Sequence, residues 1–492
     1  MDSPAQGVVG EGGAIRESLL AVLRAQRESF LRDMPVGLKI RQDRVDRGLS
    51  MLLAHRKALH AAVMEDFSVR GGDWALLAEI AAPVQVFQQV RKGIEGWMKP
   101  ERRKAPLPFN LFGARAEIQY QPLGVVGIMG AWNGAINLVL VPLATALAAG
   151  NRAMLCPSDM MPNTAQAIDA AVREYFDPTE VAVAQGGLEV CKAFSGLPFD
   201  HLLFTGSPGV GAQVMAAAAP NLTPVTLELG GKCPVIVTPD ADLADTARAI
   251  VATKTMNGGQ ACLAPDLLLV QRDQREALLR ELDQAAAALY PGAARHPEYC
   301  GIVNERNYSR ITSLVDQART EGARVQALGL EGRAETERDD ASRRMALQVV
   351  VDPPAQTRAM TEEVFGPVMT LVTYDTLEQA CAQLREMPKP LGLYVFSKSR
   401  KAAQFVLDRS FSGGVTLNDA MFHYSVPDLP FGGVGRSGMG SYSFGIEGFK
   451  RFSHARSVYT QAGPRSLLRV MQPPYGKLFD LAIRSRLEKL SA

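Results

Sequence analysis

From Gln121 onward the chain repeats one short unit, and that repetition leaves few folds open to it. Pro122–Met129 is a brief apolar strand whose turn, Ala131-Trp132-Asn133-Gly134, leads into a helix reaching Ala149. Arg152–Leu155 is the next strand and Asn163–Phe176 the next helix, followed by a strand at Val181–Ala184 and a helix at Leu188–Phe194. A strand at His201–Thr205, a helix over Val210–Ala219 and a strand at Val225–Leu229 close the series. Short strands rich in Val, Leu and Ile, alternating with helices, predict a parallel sheet covered on both faces. Ligands bind such sheets outside the carboxyl ends of the strands. Asn133, Ser158, Ser207 and Glu228 all fall at predicted strand ends, which places them round one crevice.

A second α/β series begins after Gly231. It runs through a strand at Pro234–Thr238, a helix at Leu243–Met256, a strand at Leu267–Gln271 and helices at Arg275–Ala288 and Tyr308–Glu321. Further strands end at Val372 and span Leu391–Phe396 and Val415–Asn418. With 492 residues the chain exceeds what one hydrophobic core serves, so two or more domains are expected. Before the first series, Arg16–Phe30, Leu38–Phe67 and Trp74–Trp97 carry leucines and alanines at helical spacing and read as packing helices with no chemistry of their own. Pro100–Gly113 holds three prolines and reads as an extended connector, and Ala114–Gln121 alternates like one arm of a hairpin. Beyond Gly463, Pro473-Pro474-Tyr475 precedes a last helix whose stripe, Phe479, Ile483, Leu487 and Leu490, is expected to dock on the body or on a neighbouring subunit.

Charge and composition remove several functions. Lys and Arg total 53 against 51 for Asp and Glu, so the chain lacks the basic footprint of a nucleic-acid binder. The longest apolar run, Leu138–Ala149, is short for a membrane span and contains Pro142, so it is expected to be a buried helix. Met1–Gly13 is polar and Gly-rich, unlike a signal peptide. The six cysteines form no C-x-x-C and the six histidines no H-E-x-x-H, so no metal site is expected. Sparse cysteines in a large chain suit the reducing cytoplasm.

Two short stretches carry chemistry. In Asn257-Gly258-Gly259-Gln260-Ala261-Cys262 a thiol follows a Gly-Gly pair that lets backbone approach a ligand closely. In Leu227-Glu228-Leu229-Gly230-Gly231-Lys232 a carboxylate ends a strand, where it can act as a base. Taken alone, Cys262 fits a small buried hydrophobe as well as a nucleophile, and Glu228 fits a cap or an ion pair. Gly433–Gly438 matches G-x-G-x-x-G, but Pro427 and Pro430 precede it and no acid follows at the required distance, so it is not read as a dinucleotide loop. Phe204-Thr205-Gly206-Ser207-Pro208-Gly209-Val210-Gly211 does join a strand to a helix. Its amides and helix dipole can hold a phosphate, and an ordinary strand–helix turn reads the same way.

Six motifs in order then match one family. Ala131–Gly134, Phe204–Ser207, Leu227–Lys232, Gly259–Cys262, Glu363–Pro367 and Pro430–Gly433 resemble the NAD(P)-dependent aldehyde dehydrogenase superfamily over about residues 15–460. Leu417–Tyr442 and the Pro473-Pro474-Tyr475 tail look most like its coniferyl, fatty and aromatic aldehyde branch. The resemblance implies a Rossmann-like cofactor domain (1–113 and 124–230), an α/β catalytic domain (231–437), a small β bridging element (114–123 and 438–460) and a tail (461–492). It implies oxidation of an apolar aldehyde through a Cys262 thiohemiacetal and thioester. Asn133 and the Cys262 N–H steady the oxyanion, and Glu228 activates the deacylating water. Trp132, Ser158, Asp159, Gly206, Ser207, Gly211, Leu229, Glu363 and Phe365 are the implied cofactor contacts. Phe422, His423 and Tyr424 either line the aldehyde tunnel or pack an interface. The family usually has Lys-Pro-Ser-Glu where this chain has Cys156-Pro157-Ser158-Asp159, a change that favours NAD while leaving NADP open. Pairing of Ala114–Gln121 and Arg456–Thr460 across a two-fold predicts a homodimer. A CoA-acylating relative is disfavoured by the presence of Glu228, and a non-catalytic protein of the same fold by the presence of both Cys262 and Glu228.

Overall fold

The computed structural model describes residues 11–67, 69–105, 110, 113–292, 295–330, 337–440, 445–461 and 472–491. Met1–Gly10 and the Ser441–Tyr442 end of the branch-like segment lie outside the described residues.

The first α/β series builds a six-stranded sheet. Its order is Gly438–Met439, Val225–Glu228, His201–Thr205, Val125–Met129, Arg152–Cys156, Val181–Val183. All neighbours are parallel except the first pair. The strands are mostly apolar because both faces are covered, and alternate side chains enter different cores. Val126, Ile128, Ala153 and Leu155 pack with the helices Leu38–Phe67, Ala82–Trp97, Asn137–Ala148 and Pro162–Tyr175. Val125, Met129, Met154 and Cys156 face the other way, onto Glu11–Arg32, Leu188–Ser195 and Pro208–Ala218. The Asn137–Ala148 helix is buried at every position except Leu138, as its uniformly apolar sequence requires.

The second series builds a seven-stranded sheet in the order Arg324–Ala327, Gln348–Val351, Val368–Tyr374, Pro265–Gln271, Cys233–Val237, Gly392–Phe396, Gly414–Leu417. Only the first pair is antiparallel. Its outer two strands at the 324 and 348 end, and the helices Leu377–Glu386 and Arg400–Leu407, escape sequence reading. Each is ten residues or shorter, too brief for periodicity to stand out from its polar surroundings.

Three boundaries need correction. Glu101–Arg103, inside the expected connector, is a strand paired with Arg115–Pro122. Arg115–Pro122 pairs antiparallel along its whole length with Ser453–Thr460 of the same chain, so the two pieces expected to meet across subunits meet within one. Gly438–Met439, assigned to the bridging element, instead extends the six-stranded sheet beside Glu228. Leu487 and Leu490 of the tail helix are exposed, so the body of this chain does not cover that end of the stripe, whereas Phe479 and Ile483 are half-buried.

Candidate active site

Cys262 lies in a turn just before the Pro265–Gln271 strand, delivered by the Leu243–Thr255 helix and three consecutive left-handed residues, Asn257, Gly258 and Gly259 (φ 52°, 63° and 73°). The glycines serve the protein more than a ligand. A Cβ at Gly258 would lie 2.7 Å from the Cys300 carbonyl, and one at Gly259 would collide with the Gly366 carbonyl. Asn257 tolerates the left-handed region because its short amide bonds locally. Its Nδ2 donates to the carbonyls of Asn133 (3.3 Å) and Gln260 (3.2 Å). Gln260 is fully buried and staples the loop: Nε2 donates to the carbonyls of Asn257 and Gly301, and Oε1 accepts from Val303 N–H. From behind, Tyr394 O–H donates to the Leu263 carbonyl at 2.6 Å and Cys233 S–H to the Cys262 carbonyl at 3.2 Å.

Asn133 joins this loop directly, its Nδ2 donating to the Gln260 carbonyl at 3.2 Å. Beneath it sits a pair that sequence reading missed. Arg70 and Glu79 are buried and ion-paired at 2.7 Å, and Arg70 also donates to the Asn133 carbonyl. Glu79 accepts the N–H groups of Ile136 and Asn137, capping the following helix. Its only signal in sequence is a lone carboxylate in the apolar run Leu76–Ala82.

Burial, reinforced by the charges of Glu363 and Glu228, pushes the Cys262 thiol up to about 12, while the N–H groups of Cys262 and Leu263 favour the thiolate. Glu228 and Glu363 thus both lie near enough for their charges to act on the sulfur. Burial raises the Glu363 carboxyl to about 7, opposed by a hydrogen bond from Gly231 N–H, and its carboxylate fills the space a side chain at Gly230 would need. Further in, Lys232 pairs with Asp266 and donates to the Glu362 carbonyl at 3.1 Å. Asp266 also accepts Val364 N–H at 2.9 Å. Lys254 completes the cluster, lowered to about 8 by burial. Lys232 and Asp266 fix the segment that presents Glu363 and Phe365. Phe365 is left-handed (φ 49°), and its ring meets Trp132 edge-on at 5.5 Å.

The other sequence candidates spread round the crevice. Ser207 caps the Pro208–Ala218 helix, accepting Val210 N–H, with open space beside Gly209. Gly206 precedes it in the turn, whereas Gly211 packs against Leu229, so its role is helix–strand contact. Ser158 and the exposed Asp159 follow the Arg152–Cys156 strand. Of the three aromatics before Pro427, Tyr424 is the one whose hydroxyl is raised by burial and then by the charge of a nearby Cys262. Phe422 is exposed, and His423 is buried against Tyr394 and Phe431 with its ring bonded to Thr416. Gly433–Gly438 receives no strand and starts no α-helix, in keeping with its exclusion as a dinucleotide loop.

Two mostly parallel α/β sheets, with a cysteine loop from one set against strand ends of the other, define a two-sheet α/β protein built round one crevice. The sequence pattern of the Aldehyde dehydrogenase family matches residues 20–458, and the chain belongs to that family, acting as an oxidoreductase on aldehydes. It is 40% identical over 458 residues to a probable coniferyl aldehyde dehydrogenase of Caulobacter vibrioides, covering 93% of this chain and 94% of that one. A coniferyl aldehyde dehydrogenase of a Pseudomonas species is 40% identical over 461 residues, with 94% of each chain covered. Among solved structures, the substrate-bound state of Staphylococcus aureus AldH superposes with a TM-score of 0.87 at 32% identity, over 95% of this chain and 99% of that one.

Proposed function

We propose that this protein oxidises an aromatic aldehyde of the coniferyl class to its carboxylic acid with NAD(P), using Cys262 as the nucleophile. The observation that carries this reading is what surrounds one sulfur: the N–H groups of its own loop, the Asn133 amide tied to that loop, and two carboxylates. The thiol rests protonated, so its proton passes to a facing carboxylate as sulfur adds to the aldehyde carbon. The Asn133 amide and the Cys262 N–H stabilise the oxygen that becomes negative. The Gly206-Ser207 turn, the open helix terminus at Gly209 and the Glu363 carboxyl beside Gly231 fit a dinucleotide. NAD(P), when bound, supplies the hydride acceptor. Glu228 then activates the water that releases the acid from the Cys262 thioester. Tyr424 lines the aldehyde side of the crevice.

On this reading the six-stranded sheet is the cofactor unit and the seven-stranded sheet the catalytic unit. Cys156 removes the family's cation at the position assigned to the adenosine ribose, which disfavours a 2′-phosphate, while the shorter Asp159 carboxylate repels it less, and the balance favours NAD over NADP. The Ser453–Thr460 strand forms an exposed edge of its three-stranded sheet, which suits a two-fold homodimer. Six free cysteines suit the cytoplasm. Among the described residues no helix is long and apolar enough to cross a membrane.

The test is reduction of NAD and of NADP, followed by absorbance, against cinnamyl-type, benzyl-type and straight-chain aldehydes. Turnover highest with NAD and a cinnamyl-type aldehyde is expected. Reduction by straight-chain aldehydes alone, or none with cofactor bound, refutes the proposal.

A further inference from the structure

The six-stranded sheet holds a pair of thiols that the reaction above does not use. Cys156 is the last residue of the Arg152–Cys156 strand and is buried. Cys191 lies in the Leu188–Ser195 helix and is half-buried. Their sulfurs are 3.7 Å apart, with the Cys156 S–H donating to Cys191. We propose that Cys156 and Cys191 are an oxidisable dithiol, a modification site that closes to a disulfide under peroxide and loosens the cofactor's adenosine end. The coupling to cofactor rests on the crevice assignment made above; the dithiol itself does not.

Three observations favour reaction at this pair. The hydrogen bond from Cys156, joined by the N–H groups of Asp159 and of Cys191 itself, lowers the Cys191 thiol, while the same contact and burial raise Cys156. Cys191 therefore supplies the thiolate and Cys156 the resolving thiol. Cys191 is itself partly exposed, and Gln185, Gly186 and Gly187 ahead of its helix are exposed. The thiolate attacks one peroxide oxygen, the O–O bond breaks, and Cys191 becomes a sulfenic acid as water leaves with a proton taken from solvent. Cys156 then attacks that sulfur: the S–S bond forms, the S–O bond breaks, and the Cys156 proton leaves with hydroxide as a second water. The net change is two-electron oxidation of two thiols by one peroxide.

Closure from 3.7 Å to a bond of about 2.0 Å needs a movement the sheet resists on one side. Cys156 is held by pairing with Met129, and its carbonyl accepts Gly130 N–H. The shift falls on the Leu188–Ser195 helix and on Ser158–Asp159, whose amide Cys191 engages. Asp159 stands where the resemblance puts a ribose contact, and Ser158 is the implied cofactor contact next to it.

The experiment uses full-length Cys262→Ala protein, so oxidation of the nucleophile does not contribute. Peroxide treatment, proteolysis and mass mapping are expected to yield a peptide joined through Cys156 and Cys191. NAD affinity measured by calorimetry should fall about fivefold or more, as expected of coupled sites, and return with dithiothreitol. Adding Cys191→Ser should abolish both changes. Absence of the joined peptide, or its formation with unchanged NAD affinity, overturns the proposal. Failure of the reduced protein to bind NAD or NADP overturns the crevice assignment and the coupling, while the joined peptide still decides the dithiol.

Discussion

Asp266→Asn tests the charged cluster behind the site on two readouts at once. The Lys232 and Asp266 side chains are 6% and 3% exposed, so solvent cannot take over when one charge is removed. Asparagine can still accept Val364 N–H, but Lys232 is left with only the Glu362 carbonyl. Breaking a buried pair from one side costs about 3–5 kcal/mol. At about 2–4 °C per kcal/mol for a unit of some 200 residues, the unfolding midpoint of the seven-stranded unit should fall by roughly 10 °C. Differential scanning calorimetry measures it. Lys232→Met/Asp266→Asn removes both members of the pair, leaving Lys254 with Glu363, and should recover more than half of the loss. The Asp266 charge also helps to raise Glu363, so the variant should titrate Glu363 below about 7, moving the acidic limb of kcat/KM to lower pH. An unchanged midpoint, or a double variant whose loss equals the sum of the two single ones, would refute the reasoning, since either result means the two charges do not depend on each other.

Three further outcomes are expected. Glu228→Gln should give a burst of NADH followed by turnover slowed about 10²-fold or more, the scale of general-base catalysis; a vanished burst with cofactor bound would place Glu228 before acylation. Glu363→Gln should flatten stability against pH. A carboxyl raised to about 7 stabilises the fold fully below its unfolded value and loses that contribution as pH rises through 7, so melting from pH 6 to 8.5 should decline less in the variant. His201 behaves oppositely: burial and then the Arg451 charge lower it to about 3, and its ring bonds Thr226. Its contribution is present above about 6.5 and lost as pH falls towards 3, at up to about 1.4 kcal/mol per pH unit, so His201→Gln should show a shallower acid limb in denaturant titrations.

The sequence by itself determined the two parallel sheets, because strand-length apolar runs alternating with helices have no other way to bury both faces. It also singled out Cys262 and Glu228 from their own short stretches, and Asn133 and Glu363 through the family resemblance, and the neighbouring glycines take the backbone such stretches need: Gly258 and Gly259 in the left-handed region, Gly230 against a carboxylate. Tertiary structure alone decided what surrounds them. Arg70 reaches Asn133 and Glu79 reaches Ile136 across more than fifty residues, and Asp266 reaches Val364 across ninety-eight, distances over which side-chain pattern carries no pairing information. It likewise selected Tyr424 over Phe422 and His423, because a left-handed residue at Met421 and a 3-10 turn redirect three adjacent rings that periodicity cannot orient. The same holds for Gly438–Met439, two residues whose strand exists only because Glu228 and Leu227 offer them a free edge. Local sequence fixes what each short segment prefers, and long-range packing chooses which of those preferences meet.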